Sequence, residues 1–283
     1  MNYATNYEQF RLIQKEFKSS DGSIKYIDKG SGKVILLLHG VPTSGWLYRK
    51  IIDPLVAKGY RVIAPDMLGF GASDNPKGYE IYNEINHAKR LLELMNDLKI
   101  ENWTHVFHDA SGLWTWELLK MQSNRINKLI ILNTIIYSEG FKPPMKFGKN
   151  IFTKFIMKLY SKKMFNGKLI KGLFDTGLQE NNLSKTDLQG YKQSLLEGKT
   201  NAMYYFFSKT CHKIPDNKTL LQSLRIPVKI IWGKHDPFLK WEPQKESVVN
   251  DLKIKTEDIH ILDESHFIQE TNHQKIIDII SEV

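Results

Sequence analysis

At 283 residues, with 41% hydrophobic and 25% charged side chains, the chain has the size and composition of one large α/β domain, or of a core carrying a smaller insertion. Its single cysteine, Cys211, excludes an intramolecular disulfide, and no apolar run approaches the ~18 residues needed to span a bilayer. The formal charge of +9 lies wholly between Glu139 and Pro215, where fourteen Lys and no Arg stand against five acidic residues. Without aromatic stacking platforms or a nucleic-acid motif, that surplus reads as a solvated helix face rather than a nucleic-acid or membrane site. Met1–Glu8 lacks the basic start and apolar stretch of a secretory signal. The expectation is a soluble, cytoplasmic protein with a small-molecule partner, no nucleic-acid partner and no stable membrane insertion.

Taken in chain order, strands and helices alternate, the pattern of a largely parallel sheet with helices on its faces. Ser23–Ile27 reads as an antiparallel leader strand ended by Gly30-Ser-Gly32. Val34–Leu38 is continuously apolar, as a strand buried on both faces should be. Arg61–Ala64, Trp103–His108, Leu129–Leu132, Val228–Trp232 and Ile259–Leu262 repeat that character, with helical stretches such as Tyr82–Leu98 and Gln244–Leu252 between them. The alternation breaks after Ile136. From Glu139 to Pro215 only helix-like stretches are visible, predicting a helical cap over the strand ends, with 1–138 and 216–283 forming the core. In Phe152–Tyr160, apolar residues at 152, 155, 156, 159 and 160 form one helical stripe, expected to be the cap's packing face.

The most informative segment is Trp103-Thr-His-Val-Phe-His-Asp109-Ala-Ser-Gly112, followed at once by the helix-like Leu113–Leu119. A sharp strand–turn–helix junction exposes the side chain at its apex above the sheet. Asp109 takes that place if Ser111 and Gly112 supply the small residues that let the helix pack close. Ser111 is a rival nucleophile, but its register puts Leu113 where a small residue is required. The choice decides the chemistry: a carboxylate suits displacement at saturated carbon, whereas a serine suits acyl transfer. Two further strand ends carry partners, Asp236 in Ile231–Pro237 and His266 in Glu264–Phe267. The order nucleophile, acid, histidine is that of α/β-hydrolases. In His39-Gly-Val-Pro42, the N–H of Val41 joins that of Ala110 as a candidate oxyanion hole, with His39 orienting the loop. His105, His108 and His235 are expected to be structural or supporting.

Four motifs carry a specific resemblance. His39–Arg49, Val62–Asp66 continuing through Gly69–Pro76, His108-Asp109 with its small followers, and Ser265–Glu270 resemble the matching segments of haloalkane dehalogenases and epoxide hydrolases. These form the Asp-nucleophile branch of the α/β-hydrolase superfamily. The resemblance covers about 20–138 and 226–283 and implies an α/β-hydrolase fold with a helical cap inserted after the sixth core strand. It implies Asp109 as nucleophile, His266 as base and Asp236 as its orienting acid. Some dehalogenases place that acid where this chain has Asn133. Trp46, Tyr204, Tyr205 and Phe267 are the implied substrate contacts.

The implied reaction forms an alkyl ester on Asp109, which water activated by His266 then hydrolyses, with no metal or cofactor. Dehalogenases mostly cradle halide with a Trp after the nucleophile and a second Trp or Asn, where this chain has Ala110 and Val41. Epoxide hydrolases protonate the ring oxygen with cap tyrosines. Asn201–Phe206 resembles one such segment, with Tyr205 in the matching place and Phe206 where their Arg stands. The sequence therefore favours an epoxide hydrolase-like enzyme. Haloalkane dehalogenase, carboxylesterase or lactonase, and a non-catalytic small-ligand receptor of the same fold are the alternatives.

Overall fold

The computed structural model describes residues 6–148, 150–160, 162–178 and 183–282. Residues 1–5, part of the stretch without signal-like features, lie outside the described residues. The chain begins with α1 (Tyr7–Leu12), capped by Asn6, and the hairpin β1 (Lys15–Ser19) and β2 (Gly22–Gly30). Then β3 (Val34–Leu38), α2 (Arg49–Ala57), β4 (Arg61–Pro65), α3 (Glu84–Asp97), β5 (Trp103–Asp109), α4 (Ser111–Gln122) and β6 (Ile126–Thr134) alternate. Helices α5 (Ile151–Tyr160), α6 (Lys163–Leu178), α7 (Lys185–Leu196) and α8 (Asn201–Ser208) come next. The chain re-enters the sheet through α9 (Lys218–Ser223) and β7 (Val228–Gly233). It closes with α10 (Lys245–Leu252), β8 (Ile259–Leu262), α11 (Ile268–Thr271) and α12 (His273–Ser281).

The strands form one eight-stranded sheet in the order β1-β2-β4-β3-β5-β6-β7-β8. Pairing is parallel from β4 through β8, while β1 and β2 add on antiparallel. Leu36, Leu37 and Leu38 of β3 are completely buried, because helices cover both faces and leave no polar side to alternate with. β1 escapes the sequence pattern for the opposite reason. It is an edge strand whose Lys15, Glu16 and Lys18 are exposed, and charged edges block further pairing. Since the core strands run parallel, the residues that follow β3, β5, β7 and β8 emerge on one edge of the sheet. That edge is where open α/β sheets gather ligands.

The helices α5 to α8 interrupt the alternation between β6 and β7, where a helical insertion was expected. Its first helix presents a different face from the one anticipated. In α5, Thr153 and Met157 are buried, whereas Ile151, Phe152 and Phe155 project into solvent. The stripe read from spacing was one apolar surface of a helix that has two. Among the described residues, no helix is long and apolar enough to cross a membrane.

A buried ionic cluster fastens this insertion to the core. Arg49 of α2 donates Nη1 and Nη2 to the two carboxylate oxygens of Glu270 in α11, at 2.5 and 2.8 Å. The same guanidinium reaches Asp187 of α7 at 2.7 Å, and the Tyr191 hydroxyl donates to Glu270. Burial opposes ionising Glu270, but Arg49 and Lys50 outweigh it and hold the carboxyl below its ordinary pKa. Removing the cation strands a buried carboxylate. Arg49→Met is therefore expected to cost about 3–5 kcal/mol in urea unfolding, with the contacts of α7 loosened first in hydrogen exchange.

Candidate active site

Asp109 ends β5 with φ +57, in the left-handed region that few non-glycine residues enter. The turn is this tight because α4 starts at Ser111, and Gly112 leaves no room for a side chain: a Cβ there would strike Thr134 Oγ1 and Ile135 O. Gly40 is equally constrained, since its Cβ would overlap the Asp109 carboxylate. That close approach lets Val41 N–H donate to Asp109 Oδ1 at 2.7 Å, and Ala110 N–H also bonds the carboxylate. Gly40→Ala should push the loop off Asp109 and lower kcat by ~10²–10³-fold, the loss typical of one oxyanion donor. Unchanged kcat would show that the Val41 N–H has no part in turnover.

The rival nucleophile is occupied. Ser111 Oγ lies fully buried within bonding distance of His108 N, His108 O and Leu38 O, so it stitches the turn to neighbouring backbone. Asp109 turns its second oxygen toward His266. His266 Nε2 stands 3.8 Å from Asp109 Oδ2, too long for a direct hydrogen bond, while His266 Nδ1 donates to Asp236 Oδ2 at 2.8 Å. Burial resists charging the imidazole, but Asp236 and then Asp109 outweigh it and raise its pKa above the ordinary value. Burial raises the pKa of Asp109 too, against the opposing pull of His266 and the two N–H groups.

Asp236 is itself held from several sides. Phe238 N and Leu239 N donate to its Oδ1 at 2.8 and 2.9 Å. Asn133 Nδ2 donates to Oδ2 at 2.6 Å, while Asn133 Oδ1 accepts from Gly233 N at 2.9 Å. Asn133, weighed from sequence only as an alternative site for the acid, thus ties the end of β6 to the acid after β7. Nothing in spacing signals that bond. His108 lies against the site as well. Its Nε2 donates to His266 O at 3.0 Å, and burial keeps its ring neutral. His39 Nδ1 donates to Gly40 O and its Nε2 accepts from Met67 N, which fixes the loop that carries Val41. His105 is bonded to Trp103 and Thr115, and His235 pairs with Asp263 at the surface.

Beside this constellation lies a cavity of about 380 Å³ between the core and the insertion. Pro42, next to Val41, forms part of its wall, as does Phe238, whose ring centre is 5.2 Å from that of His266. Met145, Leu173, Met203 and Phe207 complete a mostly apolar surface, with Lys168 and Thr176 its polar members. Among the described residues, no group of His, Cys, Asp and Glu side chains is arranged to hold a metal ion.

None of the four side chains expected to contact substrate is part of that wall. Met203 and Phe207 of α8 face the cavity, so helical geometry turns Tyr205 to the opposite side, where the Lys209 ammonium, paired with Glu80, lies 5.2 Å from its ring centre. Tyr204 lies on the flank, its ring 4.9 Å from Tyr79 and its hydroxyl enclosed without a protein partner. Trp46 is fully buried, donates to Asp187 O, and packs against Tyr7, Phe10 and Arg49. Phe267 stacks on Phe174 of α6 at 4.2 Å and meets the His266 ring edge-on at 4.6 Å, a packing contact that braces the imidazole. Of the other indoles, Trp103, Trp116 and Trp232 donate to His105, Ile135 O and Leu239 O, whereas the buried Trp241 Nε1 has no protein partner.

Comparison with known proteins places this arrangement. A family model described as the alpha/beta hydrolase fold matches residues 33–273. A haloalkane dehalogenase from Psychrobacter cryohalolentis is 32% identical over 154 residues, 52% of this chain and 51% of that protein. The chain thus spans about half the length of this curated relative. An epoxide hydrolase from Vigna radiata superposes with a TM-score of 0.76 at 19% identity, covering 95% of this chain and 96% of that one. A haloalkane dehalogenase from Paraglaciecola agarilytica NO2 superposes with a TM-score of 0.73 at 21% identity, covering 95% and 92%. At such identities the two superpositions speak to fold alone.

Proposed function

The chain belongs to the alpha/beta hydrolase fold family, and we propose that it hydrolyses small apolar electrophiles through an alkyl ester formed on Asp109. The observation that carries this reading is the division of labour on one carboxylate. Val41 N–H occupies Oδ1, while Oδ2 faces His266 Nε2 at 3.8 Å. In the first step Oδ2 attacks an sp³ carbon held in the cavity, and the leaving group departs with the bonding electrons. In the second, His266 takes a proton from water as the oxygen attacks the ester carbonyl. The N–H groups of Val41 and Ala110 stabilise the oxyanion, and the imidazolium returns its proton to the departing alkoxide. Asp236, fixed by Asn133, stabilises that imidazolium. The helical insertion acts as the cap that roofs the cavity.

The leaving group we favour is halide, which departs without a proton. Opening an epoxide produces an alkoxide that requires an acid, and Tyr205, on which the epoxide reading rested, lies on the side of α8 opposite Met203 and Phe207 in the cavity wall. A halide leaves without a proton but must be met by donors as it is desolvated, and the Lys168 ammonium in the cavity wall is a charged donor placed for it. The curated relative named above, matched over about half its length, is a haloalkane dehalogenase by name. One observation favours the second reading, epoxide opening: the Tyr204 hydroxyl is enclosed and unpartnered, a donor without an acceptor. Direct measurement of halide release from short bromoalkanes tests the proposal. Stoichiometric halide and alcohol support dehalogenation. Diol from matched epoxides with no halide from any bromoalkane assigns the site to the second reading.

A further inference from the structure

Between Lys142 and Lys171 the sequence holds nine lysines and not one Asp or Glu. The same segment exposes the large apolar side chains Ile151 (86%), Phe152 (68%), Phe155 (58%) and Met164 (71%). Ile151, Phe152 and Phe155 share one side of α5, opposite the buried Thr153 and Met157, and the exposed Lys154, Lys158 and Lys162 flank them. Contiguous apolar side chains left in water beside a cation ring mark an interaction surface. We infer that this face of the insertion docks peripherally on an anionic lipid bilayer, with the phenyl rings in the acyl boundary and the lysines among the headgroups.

The chemistry of the face selects that occupant. A second copy of the chain would bring lysines against lysines across a two-fold axis, which like-charge repulsion opposes. A nucleic acid would satisfy the lysines but offers no hydrocarbon for Ile151 and Met164. A bilayer meets both requirements on one side. The footprint involves no backbone insertion and no spanning helix, in keeping with the length of α5. Helix α6 also supplies Lys168 and Leu169 to the cavity wall, so the docked face and the cavity share a helix.

The test is sedimentation of the full chain with vesicles of phosphatidylcholine alone, or with about one third phosphatidylserine. Binding at least ~10-fold stronger to the anionic vesicles, and weakened by added salt, is expected. Ile151→Ser combined with Phe152→Ser and Phe155→Ser should reduce that binding by ~10-fold or more. Because these side chains are exposed, the melting temperature should not fall. Lys154→Glu with Lys162→Glu should weaken anionic binding and leave the weak neutral binding unchanged. Equal binding to both vesicle types, or wild-type binding by the triple serine variant, overturns the inference. A dimer in sedimentation velocity that the serine variant dissociates, without vesicle binding, assigns the face to a second copy and overturns it too. RNA binding in place of vesicle binding does the same.

Discussion

His266→Gln turns the protein into a single-use reagent. Ester formation on Asp109 requires no proton transfer, so a bromoalkane should still release one equivalent of halide per protein in a rapid burst. Release of the ester needs a base on water, and without the imidazole it should slow by ~10²–10⁴-fold or more. Mass spectrometry of the burst product should find the alkyl group on the peptide containing Asp109. Ser111 sits two residues away on the same peptide, so fragmentation must resolve them. Its hydroxyl, bonded to His108 and Leu38, predicts that it stays unmodified.

Asp109→Asn is expected to abolish both steps, with a loss of ~10⁴-fold or more in turnover and no burst. The amide retains the size of the carboxylate, and asparagine tolerates the left-handed backbone that φ +57 demands. The variant should therefore fold and melt like the parent, which separates lost nucleophilicity from lost structure. Asp109→Ala lacks that separation, because alanine is strained at positive φ. Retained activity in Asp109→Asn, with alkali-stable labelling elsewhere, would move the nucleophile.

How much of this was legible beforehand differs from element to element. The apolar run of β3 and the junction from His108 to Gly112 were legible because each is local: a strand buried on both faces, and a turn that only small residues permit. The order Asp109, Asp236, His266 followed from three strand ends, and parallel strands necessarily deliver their ends to one edge. The edge strand β1 was hidden because exposure removes the alternation that announces a strand. The positions of the cap residues were hidden for another reason. Tyr205 lies within two residues of both Met203 and Phe207, and its motif matches without revealing which side of α8 faces inward. Helical phase is set by the partners of the helix, and those partners are distant in sequence. Trp46 and Phe267 lie in motifs that carry the resemblance, and their rings pack against Tyr7 and Phe10 in one case and Phe174 in the other. Asn133 was placed correctly at a strand end, yet its bond to Asp236 joins residues a hundred positions apart and has no local trace.

In the proposed mechanism one carboxylate oxygen of Asp109 leaves in the product and is replaced from solvent. A single turnover of a bromoalkane by excess wild-type protein in ¹⁸O-water, followed by mass spectrometry of both product and peptide, tests it directly. Unlabelled alcohol and one ¹⁸O in the side chain of Asp109 are expected. Labelled alcohol with an unlabelled Asp109 would mean that water attacks the substrate itself, and the ester mechanism would be contradicted.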